Sequence, residues 1–228
     1  MMKPVVAALL LGLVARAHAA PVVTIVKGAE AASSLDSVLE HVVISKPALE
    51  ASKSSAAATG SLEVTKDGGK PTIKGELTSG TDGKPGFSKR TIDWNFATNV
   101  GAFSSTKRDA TQTTTVAVTG TATTVHQVTA TKGGAIERAS TTDSKTVTLK
   151  SGGTAVVVVT DETITVAEAA AAVHFEASGQ PAQLAKTGYQ KTELPNGGQR
   201  YTRHAVKVGE QTVTDAELAG FLKNRVAN

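Results

Sequence analysis

The sequence predicts a mainly β protein, an antiparallel sandwich or a curved sheet or meander, with short helices flanking the strands. Threonine, which favours strands, makes up about one residue in seven. Runs with a period of two recur from residue 60 onwards, and Asp-Gly and Asn-Gly turns separate several of them. Aromatic residues are only 4% of the chain, so we expect a core of Val, Ile, Leu and Ala.

The first nineteen residues have the three parts of a secretory signal peptide. A basic start (MMKP) precedes a short apolar run (VVAALLLGLVA) and small residues that end at Ala17-His18-Ala19. The run is shorter than the roughly 20 residues that a membrane-spanning helix needs. We therefore expect cleavage after Ala19 and export to the periplasm or the extracellular space, with no transmembrane segment afterwards.

Cysteine usage and charge exclude several classes of function. The chain has no cysteine, so neither thiol catalysis nor disulfide bonds are available. Removal of residues 1–19 takes away Lys3 and Arg16, which leaves 22 basic and 20 acidic residues and a net charge of +2. A nearly neutral protein has no electrostatic footprint for nucleic acid, so we expect no nucleic-acid partner.

Residues 20–59 are predicted to hold one strand, a helical segment and a linker. The strand is VVTIV, residues 22–26, and a second helical turn is expected to open at Lys46-Pro47. The first helix is predicted to begin after Ser34, its expected cap, because apolar residues then recur at helical spacing. These apolar positions are Leu35, Val38, Leu39 and Val42. Low-complexity sequence up to Gly60 predicts a boundary there, before an antiparallel β-rich domain over 60–228.

Three alternating runs after Gly60 predict an antiparallel meander. SLEVT, TIKGELT and RTIDWNF are joined by turns that contain Asp-Gly. Alternation sends Trp94 and Asp93 to opposite faces, so the pair is not expected to line one sugar-binding pocket. If the meander curves around an apolar small ligand, its inner face supplies the binding residues. These candidates are Ile73, Leu77, Ile92, Trp94 and Phe96.

The threonine-rich stretch from Thr111 to Thr131 has two interpretations. A single straight strand would present a nearly pure hydroxyl face, with Thr119, Thr121 and Thr123 at its centre, and such an array resembles those of β-solenoid ice-binding proteins. The fixed coil repeat of those proteins is absent here. A turn at Thr119-Gly120 would instead make a hairpin that pairs Val118 with Thr121 and Val116 with Thr123. We favour the hairpin, because strands rarely exceed about ten residues.

The remaining sequence predicts more strands and two helices. KTVTLK, TAVVVVT and TITV are expected as separate strands, AEAAAAVHFEA (167–177) as a helix, and Asn196-Gly197 as the turn of a hairpin. At the C-terminus, Thr214 and Glu217 have the spacing of a capping box. The amphipathic helix that they begin is predicted to dock on the sheet through an apolar stripe. The stripe comprises Leu218, Phe221, Leu222 and Val226.

Catalytic and metal-binding signatures are missing from the sequence. The histidines His41, His126, His174 and His204 are scattered singly, without metal-ligand spacing. There is no nucleophile elbow, phosphate loop or dinucleotide fingerprint, so we predict no catalytic residues, no metal and no cofactor.

The function expected from these features is that of an exported, non-catalytic binding or structural protein of the cell envelope or extracellular space. Its partner is a protein, a glycan or a small apolar ligand. Three alternatives stay open: a carrier of an apolar small ligand in a β-cavity, a hydrolase whose site is assembled from distant residues, and a protein that binds a surface or ice through Thr119, Thr121 and Thr123. Clustering of His126 or His204 with a carboxylate in a cleft would favour the hydrolase.

Overall fold

The computed structural model describes residues 21–40, 46–53, 57–67, 70–131, 134–168, 175 and 178–227. The predicted signal peptide, His41, His174, Val42 of the predicted first helix and most of the predicted helix 167–177 lie outside the described residues. The strands are β1 Val22–Lys27, β2 Thr59–Lys66, β3 Thr72–Ser79, β4 Ser88–Asn95, β5 Val100–Arg108, β6 Gln112–Thr119, β7 Ala122–Ala130, β8 Ile136–Thr148, β9 Thr154–Val166, β10 Gln190–Glu193, β11 Gln199–Val208 and β12 Gln211–Val213. The helices are α1 Gly28–Leu39, α2 Lys46–Ser52, α3 Gln180–Lys186 and α4 Asp215–Arg225.

All twelve described strands belong to one antiparallel sheet. The strands from β1 to β9 are paired in chain order, β11 then pairs with β9, and both β10 and β12 pair with β11. Of the two predicted architectures, the chain forms the meander. Because the strands are paired in this order, a side chain has a defined neighbour on the same face of each adjacent strand.

Helices α1 and α2 cover part of one face of the sheet. We call the face that carries Trp94 face A and the opposite face B. On face A, α1 and α2 pack over the first half of the sheet, where Leu35, Leu62 and Trp94 are fully buried. A second, smaller core on the same face surrounds Phe175 and Tyr201. The strands between the two cores carry mainly polar side chains on face A.

The first helix begins earlier than predicted. Helix α1 starts at Gly28, so Ser34 lies inside the helix instead of capping it. Ala29 to Ala32 favour helix strongly, and Ala31 and Ala32 are almost completely buried against the sheet. Small side chains at these positions let the helix approach the strands closely. The strand 22–26 and the second helix at Lys46 form as predicted.

The hairpin predicted for the threonine-rich stretch is formed, but its register differs by two residues. Strands β6 and β7 pair Val118 with Thr123 and Val116 with Val125, so the turn is Gly120-Thr121. Gly120 has φ of 55°, which fits a two-residue turn that needs positive φ at its first position. The predicted turn, Thr119-Gly120, would have placed threonine at that position.

The second half of the sheet contains longer strands than predicted. TAVVVVT and TITV form one continuous strand, β9, paired along its whole length with β8. The Asn196-Gly197 hairpin joins β10 and β11 as expected. Thr214 and Glu217 form the predicted capping box at the start of α4. Helix α4 packs beside β11, although none of its own residues is fully buried.

Candidate ligand-binding trough

The residues predicted to line an apolar cavity lie in the first core. Ile73, Leu77, Ile92 and Trp94 are at most 3% exposed and pack together with residues of α1 and α2. Phe96 is half-buried at the edge of this cluster. Only Ile73 and Phe96 of the five also line an open depression of about 530 Å³, together with Val38 and Pro71.

The three threonines proposed for a flat hydroxyl surface do not share a face. Thr123 is buried on face A, opposite Val118, whereas Thr119 lies on face B and Thr121 in the turn. On face B the hydroxyls bond to neighbouring strands instead of forming a regular array. Thr91 lies 2.6 Å from the Ser104 hydroxyl, and the Thr124 hydroxyl donates to Asp143.

The two histidines of the described strands are far apart. His126 and His204 point from face B in one cross-strand row, but β8 and β9 lie between them, which separates them by roughly 14 Å. His126 bonds to the Thr141 hydroxyl. His204 lies between two carboxylates, 2.6 Å from Asp161 and 3.1 Å from Asp215.

The cluster around His204 is an exposed ion-pair group and not a cleft. The three side chains of this cluster are between 48% and 76% exposed. Within the described residues, no group of three His, Cys, Asp or Glu side chains could hold a metal ion. The cluster ties β9 and β11 to the first turn of α4.

A continuous polar row crosses face A between the two cores. Its members are direct cross-strand neighbours from β5 to β11, and all of them are half-buried. We call this set the polar row: Lys107, Thr114, Gln127, Ser140, Glu162 and Arg203. At about 4.8 Å for each strand, the row is roughly 24 Å long.

Two depressions lie along the polar row and meet at Gln127. The larger one, of about 390 Å³, is lined by Lys107, Thr114 and Gln127 together with Ala51 of α2. The smaller one, of about 190 Å³, is lined by Gln127, Ser140, Glu162 and the ring of Tyr189. Since Gln127 lines both, the depressions are neighbours along the polar row, and we call the two together the trough.

An ion pair and an aromatic ring fix one end of the trough. The Arg203 Nε donates to Glu162 at 2.6 Å, and the guanidinium lies 4.9 Å from the centre of the Tyr189 ring. Burial raises the pKa of Tyr189, and the Glu162 carboxylate adds to this effect. The Tyr189 hydroxyl therefore stays protonated at neutral pH, and it donates a hydrogen bond to Glu162.

Lys107 stands at the other end of the trough. It pairs across the strands with Ser88 of β4 and Thr114 of β6. Burial of the ammonium group, followed by repulsion from Arg90, lowers the pKa of Lys107. Lys107 is thus the cation at this end of the trough, and Thr114, Gln127 and Ser140 in its middle are uncharged.

Sequence reasoning missed the polar row because it missed β5. The segment VGAFSSTKR has only Phe103 as a large apolar residue on its inner face, so its alternation is weak. Gln127 and Ser140 carry no motif, and their alignment depends on the pairing register of three strands. The alternation of Phe103, Ser105 and Lys107 is the one signal that could have placed Lys107 on the inner face.

Comparisons with known proteins found no matching family model, no similar curated protein and no solved structure of similar fold. Among the described residues, no helix is both long and apolar enough to cross a membrane. The side chains that line the trough are therefore the basis for its proposed function.

Proposed function

We propose that this chain is an exported, non-catalytic binding protein that holds an extended, hydroxyl-rich ligand, such as a glycan chain, along the polar row. The observation that carries the proposal is the alignment of half-buried polar side chains in one trough between two apolar cores. Export is supported by the signal-peptide pattern of residues 1–19.

The chemistry of the trough favours a polyhydroxyl ligand. The hydroxyls of Thr114 and Ser140 and the amide of Gln127 can each donate and accept hydrogen bonds, as the hydroxyls of a sugar do. The Gln127 amide lies 3.5 Å from the Thr114 hydroxyl, which is a weak contact and leaves most of its bonding capacity for a ligand. From Lys107 to Glu162 the trough crosses five strands, about 19 Å, a length that suits a chain better than a single small molecule.

Binding of soluble oligosaccharides tests the proposal. Cello-, chito- and alginate oligosaccharides would be titrated calorimetrically into the wild type and into Gln127→Leu. We expect at least one series to bind the wild type with an affinity that increases with chain length. Loss of the Gln127 hydrogen bonds should weaken binding about tenfold, since each bond contributes about 1 kcal/mol.

His126→Leu is the matched control, because this neighbour of Gln127 points from the opposite face. It should bind as the wild type does. Equal weakening by both substitutions, or no binding of any series by the wild type, would contradict the proposal.

An apolar small ligand is the second candidate, and the depression at Ile73 and Phe96 favours it. This depression is larger than either part of the trough and is lined mainly by apolar groups. Trp94, whose ring centre is 6.5 Å from that of Phe96, would report occupancy through its fluorescence. A fatty acid or an aromatic probe that leaves this fluorescence unchanged would exclude the candidate.

A further inference from the structure

We propose that the Lys107 end of the trough is a subsite for an oxyanion, the carboxylate, sulfate or phosphate group of an acidic ligand. The inference deepens the proposed function, because it names the charge class of the ligand that lies along the polar row. It rests on which charged groups around Lys107 are already paired.

Each carboxylate near Lys107 is committed to other groups. Asp36 lies 2.5 Å from the guanidinium of Arg90, which is buried beneath α1. Glu50 lies 3.1 Å from Lys53. Asp109 accepts hydrogen bonds from the backbone amides of Thr111 and Gln112 through its Oδ1.

Lys107 is consequently a half-buried cation for which the described residues show no carboxylate partner. Burial of a cation is unfavourable unless a counter-charge compensates for it. Burial is the main cause of the lowered pKa of Lys107, and attraction from Asp36 and Glu50 offsets it only in part. Arg90, also cationic, lies close enough to reinforce the effect of burial. An anionic ligand would supply a counter-charge next to Lys107, whereas Arg90 is already paired with Asp36.

The walls of the larger depression also suit an oxyanion. Arg108 also borders it, but as the strand neighbour of Lys107 it points from face B, where its side chain donates to the Gly83 carbonyl at 2.9 Å. Gln112 and Thr114 supply neutral donors next to Lys107.

Thermal unfolding with inorganic phosphate, sulfate and glucuronate tests the subsite. We expect at least one of these anions to raise the Tm of the wild type and to leave Lys107→Met unchanged. Chloride at equal ionic strength separates binding from screening. Lys145→Gln, which removes an exposed lysine from face B, should keep the full response.

The stability of the ligand-free variant provides an independent readout. Removal of an unpartnered, half-buried charge should leave the Tm of Lys107→Met unchanged or higher. A clear decrease would show that Lys107 has a partner within the chain and would overturn the subsite.

Oligosaccharides separate the failure of the subsite from that of the trough. We expect acidic alginate fragments to lose at least tenfold in affinity with Lys107→Met, while neutral cello-oligosaccharides lose little. If only neutral fragments bind, and only Gln127→Leu weakens them, the subsite is overturned and the proposed function stands. If no oligosaccharide binds, but phosphate raises the Tm of the wild type and not that of Lys107→Met, the proposed function is overturned and the oxyanion subsite is supported.

Discussion

Single residues in this protein acquire their chemistry from neighbours that are distant in the sequence. His204 meets Asp161, 43 residues earlier, and Asp215 of the last helix. Only a protonated imidazole can donate to both carboxylates. The hydrogen bonds to Asp161 and then to Asp215 raise the pKa of His204.

The raised pKa predicts a pH-dependent attachment of α4. A histidine with a higher pKa in the folded state stabilises the fold fully below its ordinary value of about 6.5, and this contribution is lost as the pH rises through the folded value. We expect the Tm of the wild type to decline across this window relative to that of His204→Ala, with unfolding followed at several pH values.

His126→Ala is the control for this pH dependence. The partner of His126 is the neutral hydroxyl of Thr141, so its removal should leave the decline intact. A wild type whose Tm runs parallel to that of His204→Ala across the window would refute the prediction.

At the scale of elements, the close approach of strands around Trp94 depends on glycine. Gly101 of β5 lies directly opposite Trp94 of β4. A Cβ at position 101 would lie 2.2 Å from the Asp93 carbonyl oxygen and 2.6 Å from the Trp94 Cα. The indole fills the space that a side chain on β5 would otherwise take.

Gly101→Ala is therefore expected to destabilise the sheet by about 1–3 kcal/mol, the usual cost of overpacking. Chemical denaturation would measure this change. Gly220→Ala in α4 is the control, because a Cβ at position 220 would meet no described atom within 4 Å, and it should be neutral or stabilising by up to about 1 kcal/mol. Equal effects of the two substitutions would contradict the prediction.

Elements with strong local sequence signals were predicted correctly, and elements that depend on tertiary packing were not. The capping box of Thr214 and Glu217 and the Asn196-Gly197 hairpin need only adjacent residues. The predicted start of α1 was wrong because Ala31 and Ala32 are buried against the sheet, which is a tertiary effect. This burial favours six more helical residues before Ser34. The predicted register of β6 and β7 was wrong by two residues, because Gly120 fits the first position of the turn better than the second.

At the scale of the whole molecule, one sheet carries two separate cores on face A. The first surrounds Trp94, and the second contains Phe175 and Tyr201. No buried residue among those described belongs to both, and the polar row lies between them. Regions that share few apolar contacts can open with different free energies, so the two halves are expected to unfold in separate steps.

Trp94, the single tryptophan, makes this expectation testable. Tyr201→Ala should lower the midpoint of part of the circular dichroism transition and leave the midpoint of Trp94 fluorescence nearly unchanged. Leu62→Ala, in the first core, should shift the fluorescence midpoint. Coincident shifts of both signals in both variants would show that the sheet unfolds as one cooperative unit.

The sequence by itself determined the β class, most turns, the capped last helix and the pattern of a signal peptide, because these follow from local composition and spacing. Only the tertiary structure decided which polar residues of face A lie side by side. Lys107, Thr114, Gln127 and Ser140 come from four strands, and their alignment depends on register. The physical reason is that register is set by the turns and by the burial of one face of the sheet. Neither can be inferred from a single residue of the polar row.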